Sequence, residues 1–309
     1  MHLYWRKIGE NMGTRKLIAR LKGGLGNQLF CYAAARRLAL VSGAELAIDD
    51  VSGFARDHVY RRRYGLTPFS IPCRMATPWE RFQPLERPRR TIAKLLSRGR
   101  PFARRAYVEQ HGDAFEPRLL DFRARGTVTL DGLWQDERYF ADVADTIRSD
   151  LRIVPPTDDA NLDIAAKIRN CNAVSVHVRW FASGGSTKAA AHNVPPEFYA
   201  RAVAEMDRVV PDAHYFLFSD EPEAARDLVG LPPDRFTLVS HNRGDEAAYA
   251  DLWLMSQCRH FIIANSTFSW WGAWLGERPG ASVVLAPRVA PHPGGWDFVS
   301  LVPERWRLL

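Results

Sequence analysis

Residues 22–30 read KGGLGNQLF, and the chain continues as CYAAARRLALVSG to residue 43. The short apolar run just before, KLIARL (16–21), is bounded by glycine and predicts a buried strand. Residues 28–41 predict a helix, with Leu29, Tyr32, Ala33, Leu38 and Val41 recurring at helical intervals. AELAIDD (44–50) predicts a second strand. Strand, glycine turn, helix and strand in this order make a βαβ unit of a parallel sheet. A glycine-rich turn that opens a helix is a ready site for phosphate, because unpaired N–H groups converge there.

The α/β pattern extends along the chain. Residues 55–125 are irregular and rich in Arg and Pro. TVTLDGLW (127–134) predicts a strand and DERYFADVADTIRSDLRI (136–153) a helix. VPPTDD (154–159) predicts a hinge, since two prolines break the helix and the composition turns polar. Beyond it, AVSVHVRW (173–180), HYFLFSD (214–220), TLVSH (237–241), HFIIANS (260–266) and SVVLAP (282–287) predict strands. PPEFYARAVAEMDRVV (195–210), DEAAYADLWLMSQC (245–258) and the stretch opening TFSWWGAWLGE predict helices. The expected division is a leader over 1–15, an N-terminal α/β domain over 16–154 and a C-terminal α/β domain over 155–309, facing each other across a cleft.

At 309 residues, 46% hydrophobic and 25% charged, the composition is that of a folded globular protein, not a disordered one. No apolar run reaches the ~18 residues of a membrane span, and residues 1–16 lack the apolar stretch of a signal peptide. The expected location is the cytoplasm. Cysteines 31, 73, 171 and 258 form no CxxC pair and no zinc pattern, which suits free thiols. The net charge of +7 is concentrated in RPRRTIAKLLSRGRPFARR (87–105), with eight Lys/Arg, no acid, and Ile92, Leu95, Leu96 and Phe102 interleaved. Two readings fit this segment: a solvated helix face, or peripheral contact with an anionic membrane. Aromatic positions for stacking bases are sparse, which argues against nucleic acid.

Polar residues gather where predicted strands end. They are Asn27-Gln28, His177 with Arg179, Ser219-Asp220, and Asn265-Ser266-Thr267. Ligands of open α/β sheets bind at those ends. His177 and Arg179 alternate onto one strand face, and a guanidinium fork suits phosphate oxygens. ANSTFSWWGAWLG offers hydroxyls and amides at a helix start, while Trp270, Trp271 and Trp274 suit its core face. Gly24 and Gly26 half-match a dinucleotide fingerprint with Asp49 in the place of a ribose acid, but Leu29 replaces the third glycine. A DxD metal motif is absent.

GGLGNQLFCYAAARRLA, GLWQDERYF, KAAAHNVPPEFYARAV, HYFLFSDEP and ANSTFSWWGAWL resemble, in order and spacing over residues 22–275, the motifs of the bacterial-type α-1,2-fucosyltransferases. That family belongs to the wider superfamily containing the protein O-fucosyltransferases. The resemblance implies a GT-B-like fold of two Rossmann-like domains. It implies inverting transfer of L-fucose from GDP-fucose, usually to the 2-hydroxyl of a galactosyl acceptor in bacterial polysaccharide synthesis, without a metal or other cofactor. Arg179 then corresponds to the arginine that neutralises the leaving diphosphate, and His177 to the histidine of the same motif. Asn27 corresponds to the asparagine facing the reacting centre, and Asp220 to the acid holding the nucleoside. Ser266, Thr267 and Phe268 correspond to the phosphate-contacting turn. Gly24, Gly26, Gln28, Asn265 and Ser269 complete the expected donor site, with Glu197 and His192 as candidate bases. The family's HxRRGDY reads HVRWFASGG here, so Trp180 replaces the second arginine. A non-catalytic nucleotide-sugar binder, or a transferase with another donor or acceptor, is the alternative that this departure leaves open.

Overall fold

The computed structural model describes residues 15–58, 60–181, 192–290 and 296–309. Most of the expected leader and the segment 182–191 therefore lie outside the described residues. Strand β1 (Lys16–Arg20) has Leu17, Ile18 and Ala19 all buried, as an inner strand covered on both faces requires. It pairs in parallel with β2 (Glu45–Asp49) and β5 (Thr127–Asp131); β3 (Arg74–Met75) and β4 (Tyr107–Glu109) complete a sheet of order β3-β2-β1-β5-β4. The second sheet, also parallel, contains β6 (Asn172–Val178), β7 (Ala213–Ser219), β8 (Phe236–Val239), β9 (His260–Ile262), β10 (Val284–Ala286) and β11 (Arg307–Leu308). Its order is β11-β10-β9-β6-β7-β8. Strand order reverses between β1 and β5 in the first sheet and between β6 and β9 in the second. Crevices open at such reversals, outside the carboxyl ends of the strands.

The helices are α1 (Leu25–Ser42), α2 (Glu86–Arg98), α3 (Ala144–Asp150), α4 (Asp159–Arg169), α5 (Pro196–Val209), α6 (Pro222–Val229), α7 (Ala248–Gln257) and α8 (Thr267–Gly276). Helix α1 starts three residues earlier than its apolar spacing predicts, so Leu25, Gly26 and Asn27 are helical rather than part of the turn. Both α1 and α8 are buried almost all round. A helix apolar on every side must be covered on every side, and these two cover each other. Phe30 of α1 meets Trp270 and Trp271 of α8 at ring-centroid distances of 4.6 and 5.0 Å. One hydrophobic cluster thus runs from Leu17 of the first sheet to Trp306 beside the second, with a separate cluster between β6, β7 and α5.

The helix expected over 136–153 is broken. Two short 3-10 turns, Glu137–Tyr139 and Ala141–Val143, precede α3. Tyr139 and Phe140 are both buried but face different partners: Tyr139 faces Trp134 and Phe115, and Phe140 faces Trp271 and Phe30. Neighbouring residues of an α-helix point about 100° apart, and the tight turns reconcile the two demands.

Candidate active site

The site is built where the two crevices meet. Arg179 directly follows β6, and its Nη1 donates to Asp220 Oδ2 at 2.7 Å. Asp220 directly follows β7, and its other oxygen accepts the Trp180 amide at 3.0 Å. The side chains are 27% and 29% exposed, so a ligand can reach both. Among the described residues the rest of the Arg179 fork makes no other hydrogen bond; its carbon centre lies 5.4 Å from the Phe181 ring.

His177, two residues earlier, is buried. Burial, with help from the Arg179 charge, lowers its imidazole to about 3, so the ring is neutral. It therefore cannot supply positive charge to a phosphate. Among the described residues its Nδ1 has no partner, and its ring lies 5.5 Å from that of Phe268. Asn265 Nδ2 donates to the His192 carbonyl at 2.8 Å, while its buried Oδ1 has no partner among the described residues. His192 itself is half-buried with its ring edge-on to Phe181, and Glu197 is exposed on the first turn of α5. Ser266 caps α8 by accepting the Phe268 amide at 3.3 Å.

Three expected ligand contacts are occupied structurally. Gln28 is buried; it donates to the carbonyls of Gly23 and Arg63 at 2.9 and 2.8 Å and accepts from the Gly65 amide at 2.9 Å. It is a strut for the 63–65 loop. Ser269 Oγ is buried and donates to the Ala264 and Ser266 carbonyls at 3.3 and 3.2 Å. Gly26 serves helix contact: a Cβ there would lie 2.5 Å from the Thr267 carbonyl carbon and 2.6 Å from the Phe268 nitrogen. Only glycine lets α1 approach α8 this closely. Gly24, the residue before α1, borders the more open space beside Arg62.

Asn27 does not face Thr267 across a gap but touches it. Its Oδ1 accepts from Thr267 Oγ1 at 2.9 Å and from Gln135 Nε2 at 2.8 Å, and Gln135 Oε1 accepts from Trp296 Nε1 at 2.8 Å. An indole N–H can only donate. It therefore fixes the Gln135 amide with oxygen toward Trp296 and nitrogen toward Asn27, and so fixes the Asn27 amide as well. The Asn27 Nδ2 is left beside Gly23, whose φ of +76° and missing Cβ make room for it.

The sequence reading missed this relay, although Gln135 stood in the quoted GLWQDERYF. It also missed a cavity of about 610 Å³ along the seam, lined by Arg61, Arg63, Tyr64, Arg243, Asp245 and Tyr249. Arg62 and Asp245 pair across it. Its only sequence signal is the arginine triplet 61–63 within a stretch that matches no motif.

The profile of glycosyl transferase family 11 matches residues 84–292. The chain belongs to this family. It is a glycosyltransferase with a GT-B-like fold. Relatives of this family 11 enzyme include an α-1,2-colitosyltransferase of Escherichia coli, 26% identical over 94% of this chain and 97% of that protein. Another is the O-antigen biosynthesis glycosyltransferase WbnK of Escherichia coli, 29% identical over 87% of this chain and 92% of that protein. Two solved structures share the fold. NodZ α-1,6-fucosyltransferase soaked with GDP-fucose has a TM-score of 0.50 at 19% identity, over 85% of this chain and 92% of that one. An Arabidopsis thaliana FUT1 variant in complex with GDP has a TM-score of 0.52 at 11% identity, over 95% of this chain and 74% of that one. Among the described residues of this family 11 chain, no group of three His, Cys, Asp or Glu is placed to hold a metal ion.

Proposed function

We propose that this family 11 enzyme transfers L-fucose from GDP-fucose to the 2-hydroxyl of a terminal galactose on a glycan, with inversion and without a metal. One observation carries the reading. Arg179 stands at the β6/β9 reversal with most of its fork open and is held from one side by Asp220, while His177, two residues before it, has its ring 5.5 Å from that of Phe268 in the first turn of α8. As the sugar leaves through an oxocarbenium-like state, negative charge grows on the β-phosphate. A guanidinium and the positive end of a helix aimed at that charge are worth most in the transition state. Asp220 accepts N–H or O–H donors of the nucleoside, and Asn27 turns its free Nδ2 toward the sugar and the glycosidic oxygen. On this reading the C-terminal domain holds the donor and the N-terminal domain the acceptor. The exposed Glu197 and the half-buried His192 remain the candidate bases, and a dissociative transition state lowers the demand on either.

A second donor is favoured by one specific observation: the E. coli relative named as a colitosyltransferase covers nearly the whole chain, and Trp180 stands where fucosyltransferases of the family carry arginine. The deciding experiment offers GDP-fucose and GDP-colitose separately to galactose-terminated glycans in excess EDTA, with product linkage read by NMR. An α-1,2-linked fucoside formed at full rate in EDTA is expected. A colitoside alone replaces the donor assignment. Turnover lost in EDTA and restored by Mg²⁺ or Mn²⁺ refutes metal independence. GDP binding without transfer from either donor leaves the non-catalytic binder.

A further inference from the structure

Helix α2 is inside out. Its inward face is polar: Arg90 is buried and donates to Ser52 Oγ at 2.7 Å, Lys94 Nζ lies 3.3 Å from Asp131, and Ser97 Oγ accepts the Tyr107 amide at 2.9 Å. Its outward face is apolar: Ile92, Leu95 and Leu96 are 55%, 60% and 63% exposed, and Leu85, one helical repeat earlier, is 72% exposed. Residues at these intervals form one stripe. Trp79 extends the patch; it is 70% exposed, with the Arg89 guanidinium 3.8 Å from its ring. Of the eleven exposed large apolar side chains among the described residues, six fall within residues 75–96. Scattered exposed leucines are ordinary, but a concentrated patch marks a contact surface.

What surrounds the stripe identifies its partner. Arg87, Arg98, Arg100 and Arg104 are exposed around it, and among the described residues only Arg98 of these four has an ion pair, with Glu109 at 3.0 Å. Residues 87–105 contain no acid. A second copy packed symmetrically on this face would set arginines against arginines. An acidic protein surface would match the charge but leave leucines and a tryptophan against polar groups. An anionic lipid surface meets both demands: apolar side chains enter the acyl boundary, arginines stay among headgroups, and tryptophan prefers that interface.

We propose that the outward stripe of α2, with Trp79 and the arginine fringe, docks this enzyme peripherally on anionic membranes. This surface is separate from the Arg179 site, so the proposal does not rest on the donor or acceptor assigned above. Two variants test it in the full-length protein, by flotation with phosphatidylcholine vesicles with and without roughly one-third phosphatidylglycerol. One variant combines Leu95→Glu and Leu96→Glu. The other combines Arg87→Gln, Arg100→Gln and Arg104→Gln. The unaltered protein should bind the anionic vesicles, weakly at high salt, and ignore the neutral ones. The arginine variant should lose about fivefold per charge, roughly a hundredfold in all, and the leucine variant at least about tenfold. GDP affinity and melting temperature should not change, and the arginine variant, altered only at exposed sites, keeps the test valid if the leucine variant misfolds. The proposal is overturned by no binding of the unaltered protein, by unchanged binding of the arginine variant, or by a solution dimer that Leu95→Glu dissociates.

Discussion

The carboxyl edges of the two sheets carry similar residues in opposite states. On the first sheet, Asp131 ends β5 almost wholly enclosed, bound by Tyr107 Oη at 2.6 Å and by Arg20 and Lys22 at 3.1 Å each. Asp49 ends β2 and is equally occupied, accepting the Ser52 amide at 2.9 Å and facing Arg90 at 3.5 Å. On the second sheet, Asp220 holds a single arginine and both stay partly open. Among the described residues, buried side-chain atoms without partners occur near both sheets: Arg81 Nε, Arg90 Nε and Trp134 Nε1 near the first, and Ser175 Oγ, His177 Nδ1 and Asn265 Oδ1 near the second. Unpartnered atoms therefore do not separate the two edges; the enclosure of the carboxylates does. The carboxylates of the first edge are enclosed by their own cations, whereas Asp220 and Arg179 stay open to solvent. Asp49 therefore cannot serve a ribose, and the dinucleotide reading falls on geometry.

The sharpest test exchanges the expected consequences of the two aspartates. Asp131→Asn should destabilise the fold by about 3 kcal/mol, because it removes the buried counter-charge shared by the partly exposed Arg20, Lys22 and Lys94. Enzyme that remains folded should keep its kcat. Burial alone would raise the Asp131 carboxyl, but Lys22 and Arg20, with Tyr107, hold it well below the usual carboxylate range. Its folded pKa is thus depressed. The stability it contributes is complete above the unfolded value of about 3.9 and is lost as pH falls from there toward the folded value. Thermal melts across that acid range should show a shallower pH dependence in Asp131→Asn; an unchanged slope would mean that the cluster is not closed. Next in size, Arg179→Ala should lower the transfer rate on the order of 10²-fold with little change in melting temperature. Arg179→Lys should rescue it poorly, because the fork is lost. Near-normal turnover in Arg179→Ala would put the leaving group elsewhere.

A smaller effect separates the two partners of the open edge. Asp220→Ala should weaken GDP binding about tenfold by calorimetry, since it removes an acceptor and frees the arginine it orients. Asn27→Ala should leave GDP affinity within about threefold yet cut single-turnover transfer about thirtyfold, the mark of a contact made in the transition state. Gln135→Leu should show a weaker form of the Asn27 effect, because it releases the Asn27 amide without removing it. If Asn27→Ala loses GDP as badly as Asp220→Ala, the glycine turn binds nucleotide directly and the contrast between the two halves fails.

Much of this was legible along the chain. The first βαβ unit, the strands around Val174 and Phe216, and the polar residues after them follow from apolar periodicity and turn residues, which are local properties. Local pattern also nominated Arg179 and Asp220, though not that they bind each other, because partners 41 residues apart are set by the parallel register of β6 and β7. It could not show that Gln28 and Ser269 are consumed by backbone groups, since an amide or hydroxyl reads the same whether it faces a loop or a ligand. In sequence α1 showed apolar residues at helical intervals and α8 a tryptophan core face; that both are buried almost all round, and that each covers the other, was not visible. Residues 87–105 gave their charge and their leucines directly. Which face of α2 turns outward was decided by Asp49, Asp131 and Glu109, acids on three separate strands whose charges could draw the arginine and lysine side inward only once the sheet had assembled.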